Sequence, residues 1–154
     1  MTGSITQCTP NSFFVELLTG THNFTTGTGD TFKIALFKST VTGTYGTATT
    51  NYSDMTGNSD ELPAASGYST GGFTLTNITP VIGGTTAYCS FSVNPNWPAS
   101  TLSSSGALIY NSSKANRCVA LLAFGSVISS SASTFLITLP SNDQNNAIIR
   151  VGSS

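Results

Sequence analysis

The stretch TFKIALF, residues 31–37, decides the fold class. Phe32, Ile34 and Leu36 alternate with Thr31, Lys33 and Ala35, the period-two pattern of a strand with one face in a core. Phe37 falls on the opposite face and needs a cover of its own. Working outward, Phe73 and Leu75 begin another strand, and Gly83-Gly84 reads as a tight turn before the alternating run 87–93. Residues 107–110 read as a short strand. CVALLAF, 118–124, is continuously apolar, as expected of a central strand buried on both faces. Phe135, Ile137 and Leu139 alternate until Pro140 ends the run. Ile148, Ile149 and Val151 suit an edge strand. Pro95 and Pro98 bracket Trp97 and predict that this segment leaves the sheet. Residues 41–59 read as a long polar loop.

One segment has a different period. In NSFFVELL, 11–18, Phe13 and Phe14 meet Leu17 and Leu18 at i+4, which predicts a helix. Asn11 or Ser12 can cap its start, and Gly20 stands where a C′ residue belongs. The sum is a mainly β chain: an antiparallel β-sandwich or jelly-roll-like domain with one short N-terminal helix. The domain covers residues 11–140, preceded by an extended N-terminal arm, 1–10, and followed by a C-terminal tail, 141–154. The expected core is Phe32, Ile34, Leu36, Phe91, Val119, Leu121, Phe124, Phe135 and Ile137.

Composition points to a role before any motif does. Charged residues are 7% of the 154, against about 25% in an ordinary soluble domain. Ser and Thr fill nearly a third of the chain, and the formal net charge is -1. Near-neutral surfaces favour association, so a hydroxyl-rich, charge-poor surface suits a protein held in an assembly. The opening MTGSITQCTP has neither a basic region nor an apolar run, so no signal peptide is expected. The apolar run 119–124 is far too short to span a bilayer, and no membrane partner is expected.

Residues that carry chemistry are few and scattered. Cys8, Cys89 and Cys118 are odd in number and widely spaced, and His22 is the single histidine. Zinc sites need four ligands at set spacings, so no metal or other cofactor is implied, and the thiols read as small buried hydrophobes. Reduced thiols fit folding in a cytoplasm. His22 reads as an exposed loop residue. Asp60-Glu61 is the only close carboxylate pair, and adjacent residues of an extended chain point oppositely, so it reads as a solvated loop rather than a glycosidase pair. Gly27-Thr28-Gly29 lacks the strand and helix of a dinucleotide site and reads as a turn. Lys33, Lys38, Lys114, Arg117 and Arg150 are too few for a nucleic-acid stripe. The expectation is a protein that is not an enzyme and binds no nucleic acid.

Several segments together resemble a family of small bacteriophage virion structural proteins. They are SFFVELLTG, DTFKIALF, SGYSTGGFTL, NPNWPASTLSSSGALIY and VALLAFGSVISSSASTFLITLP, in that order across residues 12–140. The pieces 67–75 and 97–110 are the most specific. The resemblance implies a non-enzymatic, mostly β virion component. With the size and charge, it favours a capsid decoration (cement) protein on the outside of the head, bridging subunits of the major capsid protein. Such a protein is made in the host cytoplasm and is a homo-oligomer, by analogy a trimer. A tail, fibre or baseplate component is the alternative. A carbohydrate-binding adhesion module, with Trp97 and the tyrosines stacking on sugars, is a third reading. Candidate interface residues are Phe37 on its outer strand face, Trp97 between its prolines, and Ile148 and Ile149 in the tail. The arm and tail are expected to reach onto neighbouring subunits by strand addition.

Overall fold

A computed structural model of the chain describes residues 2–152. In chain order its elements are β1 (Ser4–Ile5), α1 (Asn11–Leu18), β2 (Phe32–Leu36), β3 (Thr44–Tyr45), α2 (Tyr52–Gly57), β4 (Phe73–Thr74) and β5 (Val81–Gly83). Then follow β6 (Thr86–Cys89), β7 (Asn96–Ser100), β8 (Ser103–Asn111), β9 (Arg117–Ser129), β10 (Ser133–Leu136) and β11 (Ile149–Gly152). The fold is mainly β with two short helices. Among the described residues the strands form four sheets, and none closes into a barrel or a sandwich.

The alternation in residues 31–37 explains the centre. β2 lies between β4 and β8 in an antiparallel sheet of order β4-β2-β8-β9. Cross-strand register aligns Ile34 with Ile109 and Ala120, and on the opposite face Ala35 with Leu108 and Leu121. Each face then meets its own core. Phe32, Ile34, Leu36, Ile109 and Val119 join Phe13, Phe91, Trp97, Phe135 and Ile149 in one cluster. Ala35, Phe37, Leu108, Cys118 and Leu121 join Val41, Tyr45 and Met55 in the other. The first cluster draws on the three-stranded sheet β11-β6-β5 and the pair β10-β7, so the smaller sheets pack around the central one. Of the expected core, Phe124 alone is only partly buried.

Several expectations meet a different outcome. CVALLAF is buried on both faces at 118–121, yet β9 is the outer strand of its sheet, because the Cys8 backbone pairs with Leu121 and covers that edge. Residues 41–59 are not a bare loop. They hold β3 and α2, and Asn51 caps α2 by accepting from the Ser53 N–H while Asp54 reaches back to the Asn51 N–H. The Trp97 segment leaves the central sheet but pairs with β10 as β7. α1 has the expected bounds, but its N-cap is Pro10 with no side-chain cap, and Asn11 and Ser12 lie inside it. Gly20 takes the left-handed C′ conformation, φ 67°.

The arm stays within the chain. β1 runs parallel to β3, with Gly3 N–H on Val41 O at 2.8 Å, Ser4 N–H on Gly43 O at 3.0 Å and Thr6 N–H on Tyr45 O at 2.8 Å. A Cβ on Gly3 would sit 2.0 Å from Gly43 O, so the two backbones meet at glycine. In the tail, β11 pairs with β6. The arm and tail expectations for Met1, Ser153 and Ser154 lie outside the described residues.

Candidate functional site

Two polar networks and one apolar surface take up the residues that carry chemistry. The first network ties α1 to the β8–β9 end of the sheet. Glu16 is buried on the inner face of α1, where Arg117 Nη1 reaches its Oε1 at 2.7 Å and His22 Nε2 its Oε2 at 2.8 Å. The His22 side chain is 0% exposed, against the reading of a solvent-facing loop residue. Asn111 Nδ2 lies 2.9 Å from His22 Nδ1 and 2.8 Å from Asp30 Oδ2, and Asn111 Oδ1 accepts from Ser113 N–H. An amide nitrogen only donates, so this network assigns Nδ1 as acceptor and puts the imidazole proton on Nε2, facing Glu16. Burial opposes ionisation of Asp30, but hydrogen bonds from Asn111 and the Asn23 N–H, with Lys114 beside it, hold its carboxyl below the usual range.

The second network is built on Asp60-Glu61. The pair is not solvated: Asp60 is 1% and Glu61 8% exposed. As expected of neighbours in an extended chain, the carboxylates serve different groups. Asp60 accepts from Thr42 N–H at 2.9 Å, Gly43 N–H at 2.8 Å and Tyr45 OH at 2.6 Å, which pins β3. Burial opposes its ionisation too, and those donors outweigh it, so its carboxyl lies below the usual range. Glu61 accepts from Tyr52 OH, from Tyr68 OH at 2.8 Å and from Gly71 N–H at 2.6 Å. Tyr110 donates to Gly71 O at 2.9 Å and stacks on Tyr52. Burial and the Glu61 charge push Tyr110 up to about 12.

This arrangement accounts for the piece 67–75 in terms of folding. Tyr68 and Gly71 wrap Glu61, and Gly72, at φ 76°, packs so close to β2 that a Cβ would lie 1.9 Å from Ile34 O. Trp97 of the second piece packs against Tyr68, Phe73 and Phe135 with ring centroids about 6 Å apart.

The expected interface residues lie mostly inside. Phe37 is 0% exposed, with its ring 4.6 Å from that of Tyr45, so its cover comes from this chain. Trp97 and Ile149 belong to the first core, and Ile148 packs against it half-buried. Exposed apolar side chains stand elsewhere. α1 buries Phe13 and Glu16 and turns Phe14, Val15 and Leu18 to solvent, Leu18 at 90% exposure. Sequence reasoning missed this face because NSFFVELL is apolar on more than one side, and its i+4 pairs predict a helix without saying which side is buried. A groove of about 490 Å³ lined by Thr44, Tyr45, Thr50, Ser53 and Asn58 holds one carboxylate, Asp54, which caps α2.

Among the described residues, no cluster of three or more His, Cys, Asp or Glu could hold a metal ion. The three cysteines are free thiols, and burial pushes Cys89 up to about 11. Comparison of the chain with protein-family models, with curated proteins and with solved structures finds no match.

Proposed function

We propose that this protein is a bacteriophage virion component, a decoration protein that binds the outside of the head and bridges subunits of the major capsid protein. The observation that carries this reading is the exposed face of α1. Phe14, Val15 and Leu18 form an apolar surface on a chain whose charged residues are 7% of the total. A contact built there needs no ion pairs and is little affected by salt. The buried carboxylates Glu16, Asp60 and Glu61 are all engaged by groups of the chain itself, which supports a binding role over a catalytic one. The resemblance in residues 12–140 supports the virion setting. An antiparallel sandwich or jelly-roll-like arrangement is part of this proposal, supported by the core that the smaller sheets share with the central one. A trimer at a threefold lattice point follows by analogy, and synthesis in the host cytoplasm fits the free thiols.

A tail, fibre or baseplate part shares the same surface chemistry. Copy number separates the two: counting this chain in purified particles by quantitative mass spectrometry should return hundreds per particle. A handful would assign it to the tail, and none would remove it from the virion. The carbohydrate reading loses its main support, because Trp97 and Tyr45, Tyr68 and Tyr110 are buried.

A further inference from the structure

We propose that the open edge of β11 pairs with β11 of a second copy of this chain, antiparallel and about a twofold axis at Val151. Among the described residues, the order β11-β6-β5 makes β11 an outer strand. Near the core, Ile149 and Cys89 stand opposite each other and are buried. One step along the same face, Val151, Ala87 and Ile82 are aligned across the three strands, with Val151 52% and Ile82 76% exposed. The sheet therefore runs past the core and leaves an apolar row uncovered on its inner face. Its other face is engaged: Gln144 lies over Gly83 and Gly84, and the Arg150 guanidinium donates to the Asn145 carbonyl.

An unpaired strand edge takes an extended strand, and charge selects which one. The opposite edge, β5, is three residues long and follows Pro80, which has no N–H to offer. On β11 the one charge is Arg150. An axis through Arg150 would place two guanidinium groups side by side. An axis through Val151 places Val151 beside its copy and Arg150 opposite Gly152, which has no side chain. That register also joins Ile82, Ala87 and Val151 to the same three residues of the second copy in one continuous apolar row. That register pairs three residues of β11, Arg150, Val151 and Gly152, with the copy; with three apolar side chains a side this falls short of the roughly 1,200 Å² of a stable interface, so the dimer should dissociate on dilution. The inference does not rest on the virion reading.

Sedimentation velocity of the purified full chain over a wide concentration range tests it. The expected result is reversible monomer–dimer exchange. Val151→Lys, which sets two ammonium groups together at the axis, should weaken it about tenfold or more. Leu18→Lys, on the α1 face, should leave it unchanged. Both sites are exposed, and equal melting temperatures would show that the fold is kept. A chain that stays monomeric up to millimolar concentration would overturn the proposal. So would a dimer indifferent to Val151→Lys, or one abolished by Leu18→Lys.

Discussion

Asp60 shows how a single side chain organises this fold. Its carboxylate holds Thr42, Gly43 and Tyr45, and through them the strand on which the N-terminal segment lies. Asp60→Asn turns an acceptor into an NH₂ group facing N–H donors and should cost about 1–3 kcal/mol in chemical denaturation. The sequence alone reads the pair as a solvated loop, because nothing in Ser59-Asp60-Glu61-Leu62 marks it as buried. The donors come from residues 42–71, and only the fold brings them round it. His22 was illegible for the same reason, its partners Glu16 and Asn111 lying 6 and 89 positions away. The lowered carboxyls of Asp30 and Asp60 contribute stability that is present above their ordinary value of 3.8 and lost as pH falls through the lower folded value. Wild-type melting temperature should therefore drop below about pH 4, and Asp60→Asn should flatten that slope. At the alkaline end the sign reverses. Tyr110, raised from 10.0 to about 12, contributes stability that is lost as pH rises through that interval. Gly72→Ala combines a left-handed φ with a Cβ 1.9 Å from Ile34 O. It should abolish the soluble fold or lower its stability by more than about 2 kcal/mol, read by urea melts.

At the level of elements, period and punctuation were legible, and partnership was not. α1 was readable to its ends because an apolar run closes on Gly20. β2 was readable because Phe32, Ile34 and Leu36 recur at period two, and the β5–β6 hairpin because a glycine pair marks its place, although Gly83 stays in β5 opposite Thr86 and the turn itself is Gly84-Thr85. β9 was read as central from its continuous apolar run, since a strand covered by an N-terminal segment has the same composition as one covered by a neighbouring strand. β3 and α2 escaped because runs of two and six residues are too short to show a period. The turn between β8 and β9 is where propensity and structure disagree. Ala115 and Asn116 both take positive φ, 51° and 60°, held by Asn51 Nδ2 on Ala115 O and Tyr52 N–H on Asn116 O. Alanine is a poor residue for that conformation, so Ala115→Gly should raise stability by roughly 0.5–1 kcal/mol in the same urea melts. A loss would mean that the turn is not left-handed.

Taken as a whole molecule, the chain places its few charges where they hold it together and leaves α1 to face outward without them. Arg117 serves Glu16, Lys114 lies 3.7 Å from Asp30, and Arg150 holds the Asn145 carbonyl. The exposed face of Phe14, Val15 and Leu18 is then an apolar surface with little reason to stay in water. Deleting residues 1–10 is a poor test of attachment, because it removes β1 and uncovers the β9 edge, and so perturbs the fold as well. A change on the outer face of α1 avoids that difficulty. The most direct measurement is the copy number of a Phe14→Ser/Leu18→Ser variant in purified phage particles, beside its melting temperature in solution. The proposed function predicts a melting temperature close to that of the wild type, a copy number reduced from hundreds to a small fraction, and particles that open at lower temperature. Full copy number with unchanged heat resistance, in a variant that keeps its melting temperature, would contradict it.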